Sequence, residues 1–193
     1  MTLDAFITRW IGSGASERAN YQLFLSELCD LLEVPRPDPA QADTKTNDYV
    51  FERRVRYQEA DEGERGFIDL YKKGRFVLEA KQGAGDPETT VAEVLGVYEA
   101  DRRSGTAPRE RRAWERAMTK AKNQAFRYAR ALPTDDGWPP FLLVVDVGYC
   151  IDLYADFARQ GKNYVPFPDK PSHRIFLDDL RDEGVRNTLR QAC

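Results

Sequence analysis

Apolar positions recur along this chain with two different periods, and each period predicts a different element. Tyr21, Phe24, Leu25, Leu28, Leu31 and Leu32 repeat at helical spacing behind Ser16, a capping residue, and Glu17, whose charge suits the positive first turn. They predict a first helix that stops before Pro35, where Pro35-Arg36-Pro37-Asp38-Pro39 makes a stiff loop. A longer helix is expected from Arg109 to Leu132, with Trp114, Ala117, Met118, Ala121, Ala125, Tyr128, Ala129 and Leu132 on one face. The alanines on that face allow close packing on a sheet. A third amphipathic helix is expected from Asp178 to Gln191, carrying Leu180, Val185 and Leu189 inward.

Shorter, denser apolar runs predict strands. Tyr49–Tyr57 is expected to be one, with Phe51, Val55 and Tyr57 on a common face. A polar turn at 58–63 then leads to the strands Gly66–Leu70 and Phe76–Lys81. Phe141–Val147, Cys150–Tyr154 and residues 174–177 complete the set, with a turn at Gly148-Tyr149. The order helix, meander strands, helix, strands predicts an α/β fold, a mixed central β-sheet flanked by helices. Between Lys81 and the long helix, the stretch 83–108 reads as an insertion, a helix or a loosely ordered segment over 88–100.

Charge inside the second and third strands changes the picture. Gly66-Phe67-Ile68-Asp69-Leu70 and Phe76-Val77-Leu78-Glu79-Ala80-Lys81 are runs of the buried kind, yet they contain two carboxylates and an amine. Burying an unpaired carboxylate is very costly, so these groups need a partner or a metal. Whether they meet depends on register, because strand side chains alternate faces. A three-residue loop Lys72-Lys73-Gly74, with Gly74 left-handed, pairs odd positions with odd ones and puts Asp69, Glu79 and Lys81 on one face. A two-residue loop would put Asp69 on the other. With the longer loop the two carboxylates can ligate Mg²⁺, with Mn²⁺ as substitute, and Lys81 can orient a water or stabilise developing charge, the equipment of phosphodiester hydrolysis.

Composition narrows the alternatives. The 193 residues are 41% hydrophobic and 32% charged, which fits a globular domain. No apolar run nears the ~18 residues that span a bilayer, and no signal peptide is evident, so no membrane partner and a cytoplasmic location are expected. Cys29, Cys150 and Cys193 are far apart and read as reduced thiols. His173 is the sole histidine, which argues against zinc sites built on histidine clusters and against a serine-histidine-aspartate triad. Net charge is −3, but Arg116, Lys120, Lys122, Arg127 and Arg130 belong to a cationic stretch beginning at Arg102. That stretch is either a solvated helix face or a phosphate-binding surface. Asp146 and Asp152 are open to two readings, metal ligands or acids at strand ends.

Asp69, nine residues, then Glu79-Ala80-Lys81 resembles the D…ExK motif of the PD-(D/E)xK nuclease superfamily. More narrowly, Gly-Phe-Ile-Asp-Leu followed by Leu-Glu-Ala-Lys is similar to the N-terminal endonuclease domain of MmeI-like single-chain restriction-modification enzymes. Gln124 and Tyr128 match the Gln-x3-Tyr element of RecB-like nucleases. The resemblance implies a restriction-endonuclease-like core over 1–178 with the insertion around 83–108, and over 179–193 a helix beginning a spacer. It implies a Mg²⁺-dependent DNA endonuclease with Asp69, Glu79, Lys81 and Gln124 catalytic, and Asp69, Glu79 and Glu17 as metal ligands. Glu17 reads equally well as a surface glutamate facing the helix dipole. Double-stranded DNA is the implied partner, with dimerisation on DNA expected. Neither a glycine-rich cofactor loop nor an Asn-Pro-Pro-Tyr motif is present, so methyltransferase, S-adenosylmethionine binding and target recognition are expected in a linked region outside a piece such as this. A noncatalytic DNA-binding or interaction module on the same fold is the rival expectation. A sugar or nucleoside phosphate hydrolase fits less well, since no phosphate-cradling glycine loop exists.

Overall fold

In the computed structural model, the described residues are 1–11, 13, 17–57, 65–81 and 109–193, the side chains of 17–19 and 109–113 excepted. The strands β1 (Tyr49–Arg56), β2 (Arg65–Lys72), β3 (Phe76–Lys81), β4 (Phe141–Asp146), β5 (Cys150–Ala155) and β6 (Val165–Pro166) are sheet neighbours in chain order. β7 (Arg174–Phe176) pairs with β5 as well. Every pairing is antiparallel except β3 with β4. A parallel pair needs a crossover, and the described part of that crossover is the helix that later reaches the site.

Four helices flank the sheet among the described residues: α1 (Leu3–Ile11), α2 (Glu17–Leu32), α3 (Arg109–Ala131) and α4 (Glu183–Ala192). Alternation of side chains along β3 and β4 sorts the core into two layers. Leu78, Ala80, Leu143 and Val145 face α1, α2 and α4, packing on Phe6, Trp10, Phe24 and Leu189. Val77, Leu142 and Val144 face α3, packing on Met118, Ala121, Ala125 and Tyr128. The mixed α/β sheet is the one expected from the periodicity. The small residues of α3 let it lie flat: Ala121 and Ala125 are fully buried against the strands.

Several expectations need correction. α1 was not foreseen, because its apolar positions Phe6, Ile7 and Trp10 span barely two turns; their burial against Phe24 makes the helix. β6 is too short to leave a pattern. The closing helix begins later than Asp178, because Leu177–Arg181 forms a 3-10 turn first. The insertion at 83–108 and the polar turn at 58–63 lie outside the described residues.

The face assigned to the first strand also changes. Tyr49 and Phe51 join the α2 layer, whereas Val55 and Tyr57 join the α3 layer. The cause is Glu52, whose φ of 54° is left-handed and resets the alternation. β2 resets at the same level: Gly66 and Ile68 face α3, Leu70 faces α2, and Tyr71 faces α3 again. The register accordingly runs Phe51↔Leu70 and then Arg53↔Ile68, passing over Glu52 and Asp69. The β1–β2 ribbon thus serves both layers with its proximal half and the α3 layer alone with its distal half.

Below that switch, β1, β2 and the end of α3 are tied by a buried polar group. Tyr71 donates to Asp136 Oδ2 at 3.0 Å, Arg53 approaches the same oxygen at 3.4 Å, and Lys73 Nζ lies 3.1 Å from Oδ1. Burial pushes the Tyr71 phenol above its ordinary range, and the Asp136 charge adds to the rise.

The β2–β3 turn decides which residues of those strands face each other. Lys72 pairs with Phe76, so the loop is Lys73-Gly74-Arg75, one residue later than expected, and the odd-with-odd pairing is unchanged. Arg75 N–H donates to the Lys72 carbonyl at 3.0 Å, and Gly74 has φ +67°. Gly74→Ala should cost about 1 kcal/mol, since an added Cβ meets no atom within 4 Å and only the backbone conformation is penalised. Urea unfolding checks this; an unchanged midpoint would show that the turn does not need glycine.

Candidate active site

At the end of the β2–β3 ladder, main-chain pairing gives way to a side chain. The register stops at Leu70↔Leu78, and the N–H of Ala80 donates instead to Asp69 Oδ2 at 2.7 Å. That bond orients the Asp69 carboxylate beside β3, opposite Glu79. Glu79 is 2% exposed, and its Oε1 lies 3.2 Å from Lys81 Nζ. Lys81 is less deeply buried than its partner, so the ammonium bridges the buried carboxylate and the solvent side. Asp69, Glu79 and Lys81 therefore come together at one end of the hairpin. Strand alternation puts Glu79 and Lys81 on the α3 side.

α3 supplies the roof. Gln124 Nε2 donates to the Tyr128 hydroxyl at 2.8 Å, the contact that a four-residue helical spacing permits. The Tyr128 ring stacks on Tyr57, with centroids 6.1 Å apart, and lies directly over Gly66. A Cβ at Gly66 would stand 2.4 Å from Tyr128 Cε1, so the glycine of the Gly-Phe-Ile-Asp-Leu string makes room for this ring. Burial pushes the Tyr128 phenol up; the Gln124 hydrogen bond opposes that shift, while the charges of Glu79 and Asp69 add to it. Both carboxylates thus lie within electrostatic reach of Tyr128.

The α2 layer reaches the same place. Tyr21 donates a hydrogen bond to Glu52, and its phenol is raised by burial first, then by Glu52 and Asp69. Asp69 thus sits at the level where the ribbon changes faces, within electrostatic reach of tyrosines from both layers. Neither Glu52 nor Tyr21 carries a sequence pattern that marks it as a site residue. The one signal was indirect, the apolar stripe placing Tyr21 at the start of α2. Glu17 belongs to the first turn of α2, but its side chain is not among those described.

Asp146 and Asp152, open to two readings from sequence, are separated by their partners. Asp152 accepts from Arg174 Nε and NH2, both at 2.7 Å, and Arg174 also reaches Glu115 at 2.8 Å while lying over the Trp114 ring. Asp152 is an ion-pair residue. Asp146 pairs in register with Lys81, and its Oδ2 accepts from Trp114 Nε1 at 2.6 Å. His173 stays apart, its Nδ1 2.8 Å from the Lys170 carbonyl. Among the described residues, no three His, Cys, Asp or Glu side chains gather as a metal-holding group. The donor set at Asp69 and Glu79 is all oxygen, which suits a hard cation that keeps several of its waters.

Along the outer side of α3, Arg116, Lys120, Arg127 and Arg130 are exposed at helical spacing. Arg127 lies over the Tyr57 ring, 4.7 Å from its centroid. Glu115, next to Arg116 on the same helix, is paired with Arg174.

Comparison with protein families decides the affiliation: residues 1–192 match the family described as MmeI, N-terminal domain. The chain belongs to that family. MmeI N-terminal membership makes it a domain of the restriction-modification enzyme kind, and the match takes in the hairpin, α3 and α4 together. No curated protein and no solved structure matches the chain. Among the described residues, no helix is long and apolar enough to cross a membrane.

The Tyr128 phenol offers a direct check on this geometry. Glu79→Gln removes a negative charge beside it and should lower its ionisation pH, whereas Gln124→Ala removes a donor and should raise it. Ultraviolet titration, with Tyr128→Phe as the subtracted reference, reads both. Because the folded value lies above the unfolded one, near 10, the associated stability is complete below pH ~10 and fades as pH rises through the folded value. A Tyr128 titration indifferent to Glu79→Gln would place Glu79 elsewhere.

Proposed function

We propose that this chain is the metal-dependent DNA endonuclease part of a restriction-modification enzyme, built on a restriction-endonuclease-like core. The observation that carries the reading is the convergence of Asp69, Glu79 and Lys81 at the end of one hairpin, under Gln124 of α3. Asp69 and Glu79 would hold Mg²⁺ or Mn²⁺, which when bound supplies Lewis-acid activation of a phosphodiester and a water of lowered pKa. Asp69 is held for that task by the Ala80 N–H, and Glu79 by its burial against the sheet. Lys81 places a positive charge beside Glu79, where it can offset negative charge growing on the phosphate oxygens and help orient the attacking water. Gln124 acts one step back, holding the Tyr128 hydroxyl and with it the ring that closes the site over Gly66. The exposed cations of α3 supply phosphate contacts of the sequence-independent kind, despite a net charge of −3.

Supercoiled plasmid incubated with the chain and Mg²⁺ or Mn²⁺ tests the reading. Nicking should appear with metal, disappear with chelator, and fall at least ~100-fold in Asp69→Asn, Glu79→Gln and Lys81→Ala, the scale on which losing a charge-stabilising group acts. Equal nicking by Lys81→Ala would remove the lysine from the mechanism. DNA binding without metal-dependent nicking, persisting when the chain is joined to a methyltransferase region, would favour a noncatalytic module.

A further inference from the structure

The distal half of the β1–β2 ribbon presents a face that is largely exposed among the described residues. Because both strands switch faces at Glu52 and Asp69, Val55, Gly66 and Ile68 turn toward α3. Arg54, Arg56, Arg65 and Phe67 must then point to the opposite side. There the register sets Arg54 against Phe67 and Arg56 against Arg65. Phe67 is 49% exposed, and Arg56 and Arg65 are exposed with it.

The arginines on this face differ from several others among the described residues. Arg36 is held by Asp30, Arg174 by Asp152 and Glu115, Arg181 by Asp4 and Asp178, and Arg186 and Arg190 by Glu183. Arg54, Arg56 and Arg65 have no ion-pair partner among the described residues, and Arg54 Nε is buried without a hydrogen-bond acceptor. Two like charges directly opposite each other, as Arg56 and Arg65 are, destabilise an antiparallel pair. An anion between them would reverse that cost.

From this arrangement we infer that the ribbon face is a contact surface for double-stranded DNA, with Arg54, Arg56 and Arg65 on phosphates and Phe67 as an apolar contact. The inference rests on the proposed nuclease reading for its choice of polyanion. A two-stranded β-ribbon fits the major groove of a duplex, and an exposed aromatic flanked by arginines suits sugar and base edges. On β2 the surface begins at Phe67, two residues before Asp69.

Equilibrium binding of a fluorescent duplex oligonucleotide to the whole 193-residue chain, in chelator and over a range of salt, tests it. The variant carrying Arg54→Gln, Arg56→Gln and Arg65→Gln should show a plot of log affinity against log salt that is shallower by about 2.7, at ~0.9 per phosphate contact. Phe67→Ala should weaken binding with the slope unchanged. Arg65→Gln alone should raise the thermal midpoint of the free protein at low salt while weakening its DNA complex, opposite signs that a structural role would not produce. An unchanged slope in the triple variant, or tighter binding of single strands than of duplex, would overturn the inference. The two readings fail separately. If Asp69→Asn abolishes cleavage while the triple variant binds as the parent does, the nuclease stands and the ribbon surface falls. If the ribbon variants lose duplex binding and metal-dependent cleavage never appears, the surface stands and the nuclease falls.

Discussion

A single hydrogen bond, from the Ala80 N–H to Asp69 Oδ2, marks the point on which the candidate site depends. Up to Leu70↔Leu78 the β2–β3 hairpin is held by main-chain pairing; beyond it, a carboxylate takes the place of a carbonyl. That substitution frees β2 from β3 and lets it turn its next residues over. It also fixes the direction of the Asp69 carboxylate, because a charge-assisted hydrogen bond to a main-chain N–H is among the stronger ones. Asp69 is thus both the end of the ladder and the first member of the proposed metal pair.

Three elements meet around that point, and each is anchored elsewhere. The hairpin turn is held by Arg75, whose guanidinium reaches the Gln191 carbonyl of α4 at 2.9 Å, and by Lys73 on Asp136. α3 is anchored at its start through Glu115 and Trp114 to Arg174 and Asp146, and just past its end through Asp136 to Arg53 and Tyr71. The Gln124–Tyr128 pair lies between those two anchors. α2 enters through Tyr21 and Glu52. A site assembled from long-range ties of this kind is positioned by the whole sheet and not by one loop.

How much of this was legible depended on whether the deciding interaction was local. Gly74 was a local signal, and it preserved the odd-with-odd pairing of β2 with β3 even though the loop lay one residue further on. The Gln124–Tyr128 contact was equally local, a single helical turn. The left-handed Glu52 was not legible, because a non-glycine residue in that conformation is held there by its surroundings, here a hydrogen bond from Tyr21. Strict alternation therefore assigned Phe51 and Val55 to one face, when the ribbon turns over between them. Arg53 with Asp136 and Arg174 with Asp152 were invisible for a related reason: charge pairs so far apart in sequence leave no periodic trace.

The turned-over ribbon has a further consequence for how the molecule comes apart. Its proximal half is packed into both layers, Tyr49, Phe51 and Leu70 toward α1, α2 and α4 and Tyr71 toward α3, and its distal half into the layer of α3 alone. Neither hydrophobic layer can melt without pulling on β1 and β2, eight residues each, parts of which the other layer still holds. Two cores separated by a sheet could in principle open as two units. Sharing β1 and β2 across the sheet couples them into one cooperative transition, with Glu52 and Asp69 at the seam.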